Sequence, residues 1–323
     1  MAHELTETNG RVEFAYRADH GLPWHGLGQA VPEADYQSLE SWQAHAGMQW
    51  RVKRSQVRYV VDAAGTTLTD KENHVLFRSD NKARLGLVSA KYKTVQPSEI
   101  FELFRGIVRA GGLEISAAGT IRGGQRFWCT AQIGEAAPIS LHDKVRSQLL
   151  IVTSADGSLK TTVSRRATRA VCANTLAMAA SEGAADYSLS HRSVFDPEEV
   201  RDYMGLNTAA WDHFRHTIVR LANRPIVEAD AEPTVLAILD AKPATVDATR
   251  DSAAFKKILA LFNGDAIGSS LDGVQGTAWG MLNAVTEYVD HHVRASNDEN
   301  RLISAQWGAG NTLKSRALAL LSA

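Results

Sequence analysis

The strongest pattern in the chain begins at Pro97. Ile100, Phe101, Phe104, Ile107 and Val108 recur three or four positions apart, the spacing of a helix with one apolar face, and Gly111-Gly112 ends it. On either side the apolar positions fall into short strand-like runs. Val52 to Val61, Val75 to Arg78, Leu85 to Tyr92, Leu113 to Ile121, Arg126 to Ile133, Val145 to Thr153 and Leu159 to Ser164 read as strands. The turn-forming stretches DAAGTT, RGGQ and ADGS separate several of them. Ser38 is placed to cap a short helix from about Leu39 to Ala46, with Trp42 on its apolar face. After the last strand, VCANTLAMA predicts a further helix. Its stripe of Thr168, Val171, Cys172, Thr175, Leu176 and Ala179 would pack on the sheet.

From Asp196 the pattern becomes helical. Asp196-Pro197-Glu198-Glu199 combines a capping Asp, a first-turn Pro and acidic residues at the positive end of a helix dipole. Helical spacing follows around 198–222, 233–241, 251–263, 275–294 and 310–321. The order predicts an α+β fold: an antiparallel β-meander with packed helices, then a mostly helical C-terminal region. The expected division is residues 1–192, with a loop-rich N-terminus, and residues 193–323.

Composition adds little to that picture, and charge adds more. The 323 residues, 44% hydrophobic and 22% charged, suffice for a core without staples, and no apolar run approaches a membrane span. The polar start MAHELTETNG is not expected to be a secretory signal. Cys129 and Cys172 match no zinc or redox spacing and predict two thiols in a reducing cytoplasm. The net charge of −1 conceals an asymmetry. Residues 51–192 carry 21 Lys and Arg against 12 Asp and Glu, a net of +9, and the two flanks are each at −5. A basic middle points to an anionic partner, or to neutralisation by the acidic flanks.

Four passages together resemble a known family: LPWHGLG at 22–28, TSADGS at 153–158, AVCANTL at 170–176 and GTAWGMLNAVTEYVDH at 276–291. The chain is similar over nearly its whole length to a phage- and plasmid-borne family catalogued as a domain of unknown function, number nine-three-two. The resemblance implies a mobile-element setting and brings no catalytic residues with it.

The candidate chemistry is mainly cationic. Arg51, Lys53, Arg54 and Arg58 crowd one strand; Arg122 and Arg126 flank a hairpin tip; Lys144 and Arg146 lead the next strand. Lys160, Arg165, Arg166 and Arg169 approach the predicted strand-to-helix junction, where free N–H groups would favour an anion. Tyr59, Tyr92, Phe127 and Trp128 lie among these cations. Basic groups that follow phosphates, interleaved with aromatics on which bases stack, are what single-strand binding needs. The other reading of the same residues is a solvated sheet face with its aromatics in the core.

Catalytic signatures are missing: there is no GxSxG, HExxH or Walker-type loop. His20 and His25 flank Trp24 at a spacing that no helix brings together, and a structural loop is the expectation there. Glu287, Asp290 and His291 share a helix, where a polar network is commoner than a metal site. The expected function is therefore a cytoplasmic, non-enzymatic DNA-binding protein without cofactor. Its expected role is single-strand binding or annealing in recombination or replication, with self-association through the helical region. The alternatives are a metal-dependent hydrolase using these His, Asp and Glu residues, and a host-interaction or defence-modulating protein.

Overall fold

A computed structural model describes residues 6–8, 10–20, 28–139, 143–169, 175–177, 187–189, 196–296, 301, 304–305 and 308–323. Thirteen strands are seen among them. The short pair β1 (Glu7–Thr8) and β2 (Arg11–Val12) stands alone. The larger sheet contains β3 (Phe14–Arg17), β4 (Gln29–Val31), β8 (Ile115–Ile121), β9 (Arg126–Pro138), β10 (Lys144–Ser154), β11 (Thr161–Arg169), β12 (Thr175–Ala177) and β13 (Tyr187–Leu189). Its order is β12-β11-β10-β9-β8-β3-β4, with β13 also on β11. The run from β8 to β11 is the predicted antiparallel meander. A second sheet is made by β5 (Val52–Val60), β6 (Thr67–Arg78) and β7 (Arg84–Ser89), antiparallel throughout.

Helix α1 (Leu39–His45) starts where expected, with the Ser38 hydroxyl accepting from the Ser41 amide and Trp42 buried. Helix α2 (Pro97–Ala110) buries the five periodic residues on Phe127, Cys129, Ala131, Leu149 and Ile151 of the larger sheet. Each such side chain taken from water contributes roughly 1.5–3 kcal/mol, which is why the apolar stripe dictates this packing.

One expected helix is not there. The segment after Ser164 continues as strand to Arg169, and Thr175–Ala177 returns beside it as β12. The register is Arg166 with Ala177, Ala167 with Leu176, and Thr168 with Thr175. The remaining positions of VCANTLAMA lie outside the described residues. A short apolar run has no period that separates helix from buried strand, and an eight-residue ladder from Val145 to Val152 carries β11 onward. Likewise β6 starts at Thr67, well before Val75, because Thr67, Leu68 and Thr69 find partners in Val60, Tyr59 and Arg58.

The C-terminal region is helical, as its spacing predicts: α3 (Pro197–Ala222), α4 (Glu228–Ile238), α5 (Val246–Asp251), α6 (Ala253–Ala260), α7 (Ala278–Glu287) and α8 (Ala309–Ser322). Helices α6 and α7 each run on into a π-helical turn, at Leu261–Asp265 and Tyr288–His292. Phe214, Ile218, Val235, Ile258, Trp279, Met281, Val285 and Leu318 build a second core, and Val145 and Ala167 of the larger sheet join it. The Trp279 indole N–H donates to Asp143 at 2.9 Å, a buried bond between α7 and the start of β10. Among the described residues no helix is long and apolar enough to cross a membrane.

Candidate nucleic-acid interface

The small sheet is two-faced. Along β5 and β6, Val52 and Leu76 point into the first core, and Val88 of β7 joins them. Strand alternation turns the residues between them outward. Lys53 pairs with Phe77, which pairs with Arg84; Ser55 pairs with Val75, which pairs with Leu87. Lys53, Arg84 and Leu87 are exposed, and Phe77 and Val75 are half-buried without joining the core. An aromatic on the central strand is thus flanked by a cation on each neighbouring strand. Sequence reasoning missed Phe77 and Arg84. The signal was the alternation Val75-Leu76-Phe77-Arg78, which becomes readable only when the strand is paired on both sides.

This sheet concentrates the exposed positive charge. Between Arg51 and Lys93 the chain has ten Lys and Arg against four Asp and Glu. All of the ten except Arg78 are exposed. Three of the acids, Asp62, Asp70 and Asp80, are occupied locally. Asp62 closes the β5–β6 turn by accepting from Thr66, and Asp70 accepts from the Asn73 side chain and the amides of Glu72 and Asn73. Those bonds hold both carboxyls below the ordinary carboxylate range. Arg54 donates to the Ala90 and Tyr92 carbonyls, which keeps Lys91 and Lys93 beside the base of the sheet.

Arg78 works inside the protein. Fully buried, it donates to Glu13, to both Asp80 oxygens at 3.0 and 2.8 Å, and to the Gly123 carbonyl at 3.2 Å. Its guanidinium lies over the Trp50 ring at 4.1 Å. Glu13 in turn accepts from Thr8 and Thr120. This network ties the small sheet to the β8–β9 turn. There Gly124, at φ +91°, has no room for a Cβ, which would come 2.9 Å from the Arg78 Nη1 and 2.7 Å from Trp50.

The other candidate cations are dispersed. Arg122 and Arg126 are half-buried at the β8–β9 turn, and Lys160 is exposed at the start of β11. Lys144 is exposed and Arg146 half-buried at the far end of the meander. Arg165 and Arg166 are each only 5% exposed. Arg165 shares a face with Val163 of the first core and Ala167 of the second, and Lys314 of α8, whose pKa is pushed down by burial, feels Arg166 as a further lowering charge. The Arg169 side chain lies outside the described residues. Arg165 and Arg166 are therefore part of the seam between sheet and helices, and among the described residues no helix N-terminus adjoins them.

The aromatics divide in the same way. Tyr59 is 50% exposed. Tyr92 is half-buried, its hydroxyl donates to the Ala155 carbonyl at 2.8 Å, and burial pushes its pKa up to about 12. Phe127 is fully buried, and Trp128 stacks on Phe14 with ring centres 5.6 Å apart.

The alternative set of metal ligands does not converge. Glu287 accepts from the Ile267 amide at 3.0 Å, and Asp290 pairs with the buried Lys314. His291 lies beside Asp290 on the π-helical turn; His25 and the His20 side chain lie outside the described residues. Among the described residues no group of three or more His, Cys, Asp or Glu is arranged to hold a metal.

No curated protein and no solved structure matches the chain. The family model described as Domain of unknown function (DUF932) matches residues 84–307, from β7 through the second π-helical turn, with β5 and β6 preceding the match. That span is more than half of the chain, and the protein is a member of the DUF932 family.

Proposed function

We propose that this protein binds single-stranded DNA on the outward face of the small sheet. The observation that carries the reading is the row Lys53–Phe77–Arg84. It places a π-surface for a base between two cations for the flanking phosphates, with Arg51, Lys91 and Lys93 exposed near the base of the sheet. A single strand suits this face because its bases are free to lie flat on an aromatic, whereas a duplex offers mainly its phosphates. Strand annealing in recombination or replication of phage and plasmid DNA is the process such a surface would serve.

The test is fluorescence polarisation with a labelled oligonucleotide across a salt series. Lys53→Ala/Arg84→Ala removes two phosphate contacts and should lower the slope of log K against log salt by about 1.4 for a single strand. Phe77→Ala should weaken binding by roughly 1–3 kcal/mol and leave that slope unchanged. Wild-type affinity and slope in both variants would refute the assignment of this face.

A further inference from the structure

The outward face of the small sheet continues beyond the row that holds Phe77. Strand β5 carries no extra residue along its length, so its alternation takes the face of Lys53 and Ser55 on through Val57 to Tyr59. Tyr59 lies directly opposite Leu68 of β6, and the two residues are 50 and 47% exposed. From Arg58 to Thr69 every residue is exposed, so β5 and β6 form a two-stranded arm with no core beneath it. The other face of the arm bears Arg58, Val60, Thr67 and Thr69. An aromatic ring beside an aliphatic chain, both in water, thus stands on the face that continues the Phe77 row. The arm is also held at a fixed angle. Where it leaves the sheet, β6 carries Lys71, Glu72 and Asn73 against no extra residue on β5. The Asp70 carboxylate gathers this bulge, accepting from the Glu72 and Asn73 amides at 2.7 and 3.1 Å and from the Asn73 side chain at 2.8 Å. The Ala90 amide donates to the Glu72 carbonyl at 2.6 Å. A bulge braced in this way sets the direction of the strand. A platform that needs no ordering loses less on binding.

We propose that Tyr59, with Leu68 beside it, is a second base-stacking platform for the same single strand, so that the full ligand is an unpaired run long enough to reach from Phe77 to the arm. The inference rests on the reading of the small sheet as a DNA-binding face. Tyr59 lies six residues beyond Lys53, about 20 Å along β5 at roughly 3.4 Å per residue. A strand stacked at roughly 3.4 Å per nucleotide covers that distance in about six nucleotides, and an unstacked strand in fewer. A base stacks on an aromatic ring without a cation of the ring's own, so the Tyr59 contact adds affinity that salt does not screen. The phosphates between the platforms fall to Lys53, Arg84 and the exposed Lys71 at the root of the arm. A paired strand keeps its bases stacked on one another and offers neither ring a free face.

Fluorescence polarisation on the full chain with single strands of sixteen and of three nucleotides tests it, the short one by competition. Tyr59→Ala should weaken binding of the long strand by about 5- to 150-fold, the worth of one stacked base, and leave its salt slope unchanged. The same variant should bind the short strand as the wild type does, because three nucleotides on the cationic Phe77 row do not reach the arm. Its melting temperature should also stay at the wild-type value, since Tyr59 joins no core. Tyr59→Trp should keep long-strand affinity, and Phe77→Ala should weaken both lengths. Full long-strand affinity in Tyr59→Ala, or an equal loss at both lengths, overturns the inference and leaves the Phe77 row standing. A wild type that binds neither strand at low salt overturns both. Light scattering in which Tyr59→Ala halves the mass of the wild type would assign Tyr59 to self-association and overturn the inference as well.

Discussion

Replacing Arg78 by alanine should loosen the attachment of the small sheet and cost a large part of the protein's stability. The side chain is fully buried, and Glu13 beside it has 2% of its side-chain surface exposed. Removing the arginine leaves that carboxylate in the interior facing only hydroxyl donors. A buried ion pair broken from one side costs about 3–5 kcal/mol. Against a typical total of about 5–15 kcal/mol, that is a large share. With an m-value of about 1–3 kcal/mol per molar, the urea midpoint should fall by about 1 M or more. Glu13→Ala should do the same from the other side. Arg78→Met/Glu13→Leu removes both charges and should cost clearly less than the two single changes added. The pH dependence has a definite sign. The bond from Arg78 holds the Asp80 carboxyl below its ordinary 3.8. Its contribution is therefore complete above that value and is lost as pH falls through the depressed one. The Arg78→Ala variant should lack this acid-labile part. A loss below about 1 kcal/mol, or strict additivity in the double variant, would refute the view of Arg78 as a buried clamp.

Other expectations follow from the same kind of accounting. Arg165→Ala and Arg166→Ala should each lower the unfolding free energy by about 0.5–3 kcal/mol while leaving the salt slope of DNA binding at its wild-type value, because both side chains are buried at the seam with the helices. Trp279→Phe deletes the donor to Asp143 and should cost about 1–3 kcal/mol in chemical denaturation. Lys314→Met alone should destabilise, since it strands Asp290. Lys314→Met/Asp290→Leu should be close to neutral or stabilising, because burial lowers the Lys314 pKa and that desolvation cost disappears with the pair.

The parts legible in the sequence were those set by local rules. The stripe from Ile100 to Val108, the Ser38 cap and the Asp196-Pro197 helix start each depend on neighbours a few residues away, and each is where the pattern puts it. The part that was not legible depends on pairing. The period of TTVSRRATR is that of a strand, yet nothing local says that both of its faces are covered. Arg165 and Arg166 looked like surface charge because the sheet and the helices that enclose them are distant in sequence. Phe77 was hidden for the converse reason. It sits in an apolar run that suggests a core, and only its partners Lys53 and Arg84 reveal an outward face. Charge density along the chain marks the basic segment, but it could not separate Arg78, which is buried, from Lys53 and Arg84, which are exposed.

The measurement that bears most directly on the account is the affinity of the intact protein for a single-stranded oligonucleotide over a range of salt, beside the variant Lys53→Ala/Arg84→Ala/Lys91→Ala. Binding by the wild type should weaken steeply with salt, and the slope should be smaller by about 2.1 in the variant, whose fold is intact because all three side chains are exposed. Failure of the wild type to bind at low salt, or a variant that binds with the wild-type slope, would contradict it.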